Sequence, residues 1–182
     1  GFVIDLGGGS LEITRVGDRR SLQGVSMTLG AVRMTEDWLS EAPASKEALT
    51  RLRAYLQARL RDHRWFRAAP GTRLIGQGGT LRNAARLIQK AKGYPLDELH
   101  GYTFSRAELR KAIRKLEPLT VAERRAVLGM KADRADIALA GAIVVEESMK
   151  FAGFDTLTVC SQGVREGLFY ARFLRESDPP LF

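Results

Sequence analysis

Three strand-like runs in this chain each end in a turn of small residues, and those turns restrict the fold more than any other feature. The segments are DLGGGS at 5–10, GQGGT at 76–80 and SQG at 161–163. Glycine tolerates positive φ and lets backbone N–H groups converge on an anion. If the first, fourth and last strands are parallel neighbours, their carboxyl ends share one edge, where open α/β sheets bind ligands. The second and third turns run straight into helical sequence, whose N-terminus favours phosphate. Ser10 and Thr80 add hydroxyl donors. A plain hairpin seldom needs three glycines. Gly7, Gly8, Gly9 and Ser10, with Gly78, Gly79 and Thr80, are therefore read as a phosphate site, although a simple strand-to-helix turn stays open for Gly78 and Gly79 alone.

The rest of the chain alternates between strand and helix signals. Phe2 to Leu6 is a short apolar run, residues 11–16 alternate apolar and polar, and residues 20–28 read as a third strand interrupted at Gly24. Helices are expected over 30–39 and after Ser45, with Leu49, Leu52, Leu56 and Leu60 as the apolar stripe and Arg51, Arg53, Arg59 and Arg61 off it. Residues 73–76 form a brief strand and 81–92 a helix stopped by Gly93 and Pro95. Ser105/Glu108 and Thr120/Glu123 have capping-box spacing. Asp133 is read as the cap of a long buried helix closed by Gly153, followed by a strand over 156–160 and a last helix over 164–175. The order β-β-β-α-β-α-(helices)-β-α predicts an α/β fold: a mixed five-stranded sheet with helices on both faces. Residues 1–176 make one domain and 177–182 a loose tail.

Composition removes several function classes. The longest apolar run, 137–145, is half of a membrane span and is followed by Glu146 and Glu147, so no membrane partner is expected. A single cysteine, Cys160, excludes a disulfide framework within the chain and a cysteine zinc site, and fits a reducing, cytoplasmic setting. The net charge is +8, and 22 of the 29 basic residues are arginine, whose fork suits bidentate phosphate contacts. The chain opens inside an apolar run without Met, so a segment upstream is expected.

Asp5 ends the first strand beside the first turn. A carboxylate there would repel a phosphate, and Mg²⁺ or another divalent cation is the natural bridge. Glu12 is a second acid across the turn. The competing readings are a turn cap for Asp5 and an exposed strand residue for Glu12. No G-x-x-x-x-G-K-[ST] motif is present, and the first glycine run precedes a strand, which argues against a dinucleotide fingerprint. His63 and His100 lie in helical or loop contexts, where neither metal ligation nor a triad is expected, Cys160 reads as a small core residue, and Arg134 and Asp136 read as capping or surface pairs.

These residues resemble the Ppx/GppA family, the exopolyphosphatases and guanosine pentaphosphate phosphohydrolases of the actin, heat-shock ATPase and sugar-kinase superfamily. Residues 3–12, VIDLGGGSLE, are similar to its D-[IL]-G-G-G-S-x-E motif, and residues 30–35, GAVRMT, to G-x-V-R-[LM]-T. GQGGT at 76–80, RAD at 134–136 with Gly141, and SQGVREG at 161–167 continue the series in order. The resemblance implies a ribonuclease-H-like lobe, the second of the family's two, with the helices between Ser105 and Leu128 inserted before the long helix. It implies Gly7, Gly8, Gly9, Ser10, Gly78, Gly79 and Thr80 as phosphate ligands and Asp5 and Glu12 as Mg²⁺ ligands. The substrate would be inorganic polyphosphate or guanosine pentaphosphate, with a base on the absent first lobe, which leaves this fragment inactive alone. A homodimer is a further expectation. An ATP-binding kinase or ATPase lobe of the same superfold and a non-enzymatic polyanion-binding module are the alternatives. Nucleic acid is disfavoured, because aromatics are only 8% and are not interleaved with the arginines.

Overall fold

Alternation of apolar and polar residues makes Phe2–Leu6 (β1) and Leu11–Gly17 (β2) two-faced strands. Phe2, Ile4, Leu6, Leu11 and Ile13 are buried on one face, while Val3, Asp5, Glu12 and Thr14 are half-buried on the other. The computed structural model describes residues 1–173, so the expected tail at 177–182 lies outside the described residues. β1 pairs antiparallel with β2, which pairs antiparallel with Arg20–Met27 (β3). The β2–β3 register slips between Arg15 and Val16, opposite Leu22, so the bulge falls there. Gly24, where the sequence placed the interruption, stays in register with Thr14.

Two helices, the short Ala31–Trp38 (α1) and the longer Lys46–Leu60 (α2), lead to Leu74–Gln77 (β4) and Gly79–Ala91 (α3). Then come Thr103–Ser105 (β5), Arg106–Leu116 (α4), Val121–Arg125 (α5), Ala138–Ala152 (α6), Thr156–Val159 (β6) and Val164–Phe173 (α7). The sheet has six strands in the order β3-β2-β1-β4-β6-β5, one more than the sequence predicts. The extra strand, β5, runs antiparallel to β6 and buries only Phe104. A run of three residues shows no readable period, and the sequence marks Ser105 only as a helix cap. β1–β4 and β4–β6 are parallel, as required for three turns to share an edge.

The local stop and start signals act as expected. Ser45 Oγ accepts from the Ala48 N–H at 3.1 Å, both capping boxes close, and Gly153 ends α6 at φ 79°. Asp133 does not cap α6. Residues Ala132–Arg134 form a 3₁₀ turn, and Asp136 Oδ1 instead accepts from the Ile137 N–H at 2.9 Å just before the helix. α7 contributes no buried residue. Among the described residues no helix is long and apolar enough to cross a membrane.

α6 is the hub: α1, α2, α3 and α4 all pack against it, and 14 of its 15 residues are buried. These helices cover the apolar face of the sheet, where Gly76 leaves room for Leu81 of α3 and Leu157 of β6. The face carrying Asp5, Glu12 and Gln77 remains half-exposed. Glu146 and Glu147 sit inside the hub, each with a side chain 1% exposed. Arg53 of α2 donates to both carboxylates at 2.5 Å, Gln57 donates to Glu147 at 2.5 Å, and Arg110 of α4 donates to Glu146 at 3.1 Å. The network ties α2 and α4 to α6. Burial alone would raise the Glu146 carboxyl, but the hydrogen bonds from Arg53 and Arg110 outweigh it and hold the group below its ordinary range.

Candidate active site

The first glycine turn is shaped by hydrogen bonds that sort its amides from its carbonyls. The Gly7 N–H donates to the Ser10 carbonyl at 3.0 Å and closes the hairpin. The Gly7 carbonyl accepts from the Ala31 N–H at 3.0 Å, and the Gly8 carbonyl from the Val32 and Arg33 N–H groups at 2.9 and 3.3 Å. The first turn of α1 thus satisfies its own orphan donors on this loop. Among the described residues, the N–H groups of Gly8, Gly9 and Ser10 have no acceptor. Of the four residues named from sequence, Gly7 therefore shapes the turn, and the other three have amides open to an anion.

α1 comes this close only because residue 30 has no side chain. A Cβ on Gly30 would stand 2.2 Å from the Gly8 carbonyl oxygen. The sequence marks Gly30 only as the start of a helix and as part of the 30–35 segment. Its contact with residue 8 has no local cue.

The second turn is set beside the first by the parallel β1–β4 ladder, which pairs Asp5 with Gln77. Gln77 Nε2 donates to Asp5 Oδ2 at 2.8 Å. Gly78 has φ 104°, and a Cβ there would lie 2.6 Å from the Leu6 carbonyl oxygen and 2.9 Å from Asp5 Oδ1. α3 begins at Gly79, so the N–H groups of Gly79 and Thr80 are among its orphan donors. Thr80 packs its methyl where a side chain on Gly141 of α6 would stand. The Arg134 guanidinium lies over Gly79, with Nη2 3.1 Å from a Cβ built there. The local sequence around Arg134 marks it only as a capping or surface residue. Tertiary packing brings its charge to the turn from 55 residues away.

The third turn joins the same edge. β6 pairs parallel with β4, and the Cys160 N–H donates to the Gly76 carbonyl at 2.8 Å. A cavity of about 260 Å³ is bounded by Asp5, Gly78, Arg82, Ser161, Gly163 and Glu166. This turn does not offer its glycine amide as the others do. Glu166 accepts from the Gly163 N–H at 2.6 Å, and backbone donation from Gly163 and Glu166 itself holds that carboxyl below its ordinary range. A carboxylate stands where the sequence suggested an anion.

Asp5 and Glu12 are direct cross-strand partners on the half-exposed face. Like charges so placed destabilise a sheet. Their hydrogen-bond donors are neutral: Gln77 on Asp5, and the Ser26 hydroxyl on Glu12 at 2.7 Å. Among the described residues no Lys or Arg pairs with either acid, and such an all-oxygen pair fits a hard divalent ion that takes one or two carboxylates and completes its shell with water or phosphate. Among the described residues no cluster of three or more His, Cys, Asp or Glu is placed to hold a metal. His63 packs edge-on to Trp65, and His100 Nδ1 accepts from the Ser161 N–H at 3.3 Å. Cys160 is half-buried in contact with the Gln162 carbonyl.

The whole described chain falls within one match to the Ppx/GppA phosphatase family model, which covers residues 1–176. Exopolyphosphatase 1 of Mycobacterium tuberculosis is 30% identical over 177 residues, 96% of this chain and 51% of that protein. Exopolyphosphatase 2 of the same species is 31% identical over 173 residues, 91% of this chain and 53% of that protein. The crystal structure of the Aquifex aeolicus Ppx/GppA phosphatase, type II variant, superposes with a TM-score of 0.84 at 26% identity, over 95% of this chain and 57% of that one. The chain spans about half the length of the curated relatives it matches. A sheet-edge site with open glycine amides, on a fold and sequence shared across nearly the whole chain, places this chain in the Ppx/GppA phosphatase family.

Proposed function

We propose that this chain supplies the phosphate- and metal-binding half of a hydrolase that removes the terminal phosphate of inorganic polyphosphate or guanosine pentaphosphate. The observation that carries the reading is the set of unpaired amides at Gly8, Gly9 and Ser10, one strand away from the orphan amides of α3. Phosphoryl transfer asks little covalent chemistry of the protein, so its work is positioning and charge stabilisation. The amides of Gly8, Gly9, Ser10, Gly79 and Thr80 would hold the oxygens of the end phosphate, and Arg134 over Gly79 would offset their charge. Fixed donors of this kind are each worth about 10²–10³ in rate where they meet developing charge. Asp5 and Glu12 would hold Mg²⁺, which when bound offsets charge on the phosphate oxygens. None of these residues is placed as a base for the attacking water. That role is assigned to the portion of the relatives' length that this chain does not span.

The test is two measurements on the chain. Orthophosphate binding followed by ³¹P NMR with and without Mg²⁺ should show weak, Mg²⁺-enhanced binding. Orthophosphate release from polyphosphate should stay near background. Absence of binding would sink the site assignment, and rapid release would sink the claim that the base lies outside this chain.

A further inference from the structure

Next to the glycine turns lies a second, larger cavity of about 360 Å³, with Gly79 and Arg134 at its boundary with the turn. One wall is α3, which presents Arg82 and Arg86 four residues apart on the same face. The opposite wall is the segment 129–134, carrying Lys131 and Arg134. That segment is fastened to α3 at two points. Gly129 has φ 90°, and a Cβ there would come within 2.9 Å of the Arg86 carbonyl. Asn83, buried on α3, accepts from the Lys131 N–H at 3.0 Å.

The cations lining the cavity outnumber its acids: Arg82, Arg86, Lys131 and Arg134 against Asp97, Glu98 and Asp133. Asp97 pairs with Lys90 at 3.2 Å, and Glu98 accepts from the His100 N–H at 2.6 Å. Asp133 is 75% exposed, 3.9 Å from Arg134. Among the described residues, Arg86 and Lys131 have no ion-pair partner. Uncompensated cations in a concave site focus potential on an anion. Among the described residues no aromatic ring lines the cavity, and Leu99 is its apolar contribution, so these residues offer no stacking platform for a base.

We propose that this cavity is a subsite for the phosphates that follow the terminal one in a linear inorganic polyphosphate, with Arg86 and Lys131 as its principal ligands. The proposal rests on the assignment of the glycine turns to the end phosphate. It goes further by naming the residues that favour an inorganic chain over a nucleotide.

The test is the double variant R86Q/K131Q, at two positions outside the turns, measured by calorimetry against orthophosphate, polyphosphate, guanosine pentaphosphate and a single-stranded oligonucleotide. The expected result is unchanged orthophosphate binding and a loss of about tenfold or more for polyphosphate, with the salt slope falling by about 0.7 per cation removed. Unchanged polyphosphate affinity, an equal loss for orthophosphate, or a larger loss for the pentaphosphate or the oligonucleotide would overturn the subsite. A wild-type chain that binds orthophosphate but binds polyphosphate no more tightly would overturn the subsite alone. A wild-type chain that binds neither would overturn the reading of the turns beneath it.

Discussion

Replacing Gly30 with alanine isolates the close approach that shapes the candidate phosphate loop. Gly30 has φ −67° and ψ 157°, a conformation alanine adopts freely, so no backbone strain is introduced. What changes is contact. The new Cβ would stand 2.2 Å from the Gly8 carbonyl oxygen and 2.3 Å from the Gly9 carbonyl carbon, against an ordinary carbon–oxygen separation of about 3.3 Å. Both partners are backbone, so α1 and the turn must separate by roughly 1 Å. The N–H groups of Ala31, Val32 and Arg33 then lose or lengthen their bonds to Gly7 and Gly8. Overpacking costs about 1–3 kcal/mol, which is about 2–12 °C in Tm for a chain of this size. A displacement of about 1 Å at a site that depends on fixed amides costs about a hundredfold in function. Thermal melts would report the first figure and ³¹P titration with orthophosphate the second. Gly9→Ala is the control for stability, because no atom lies within 4 Å of a Cβ at that position. A Gly30→Ala chain that melts with the wild type and binds phosphate as tightly would refute the argument.

Two further outcomes follow from the charges. Arg53→Met should destabilise the chain by about 3–5 kcal/mol near neutral pH, because it leaves Glu146 and Glu147 buried with fewer partners. Glu146 has a depressed pKa in the native chain, so its contribution is present above the unfolded value of 4.5 and is lost as pH falls through the folded one. Without Arg53 the opposition to burial is weaker and the folded pKa rises, so the stability gap should narrow as pH falls from neutral in urea melts. A gap that stays constant with pH would contradict the assignment. Glu12→Gln should stabilise the metal-free chain by about 0.2–1 kcal/mol by relieving Asp5, and should abolish any rise in Tm on adding Mg²⁺. A retained Mg²⁺ response would remove Glu12 from the metal site.

The sequence alone determined what is written within a few residues of itself. The glycine turns, the capping boxes at Ser105 and Thr120, the Leu52, Leu56 and Leu60 stripe and the left-handed stop at Gly153 are local signals, and the structure carries each of them. The ordered motifs also carried the family, because they preserve the residues at strand ends where a site must form. Tertiary structure alone decided which turn amides are open, that Gly163 gives its own to Glu166, and that Arg134 covers Gly79. It also decided that Gly30 must be glycine, that Arg53 holds two buried glutamates 93 and 94 residues away, and that β5 completes the sheet. The reason is common to all of these. A side chain's local pattern records which face it presents, whereas its partner across the fold is selected by packing and by the register of parallel strands, which leaves no periodic mark in either segment.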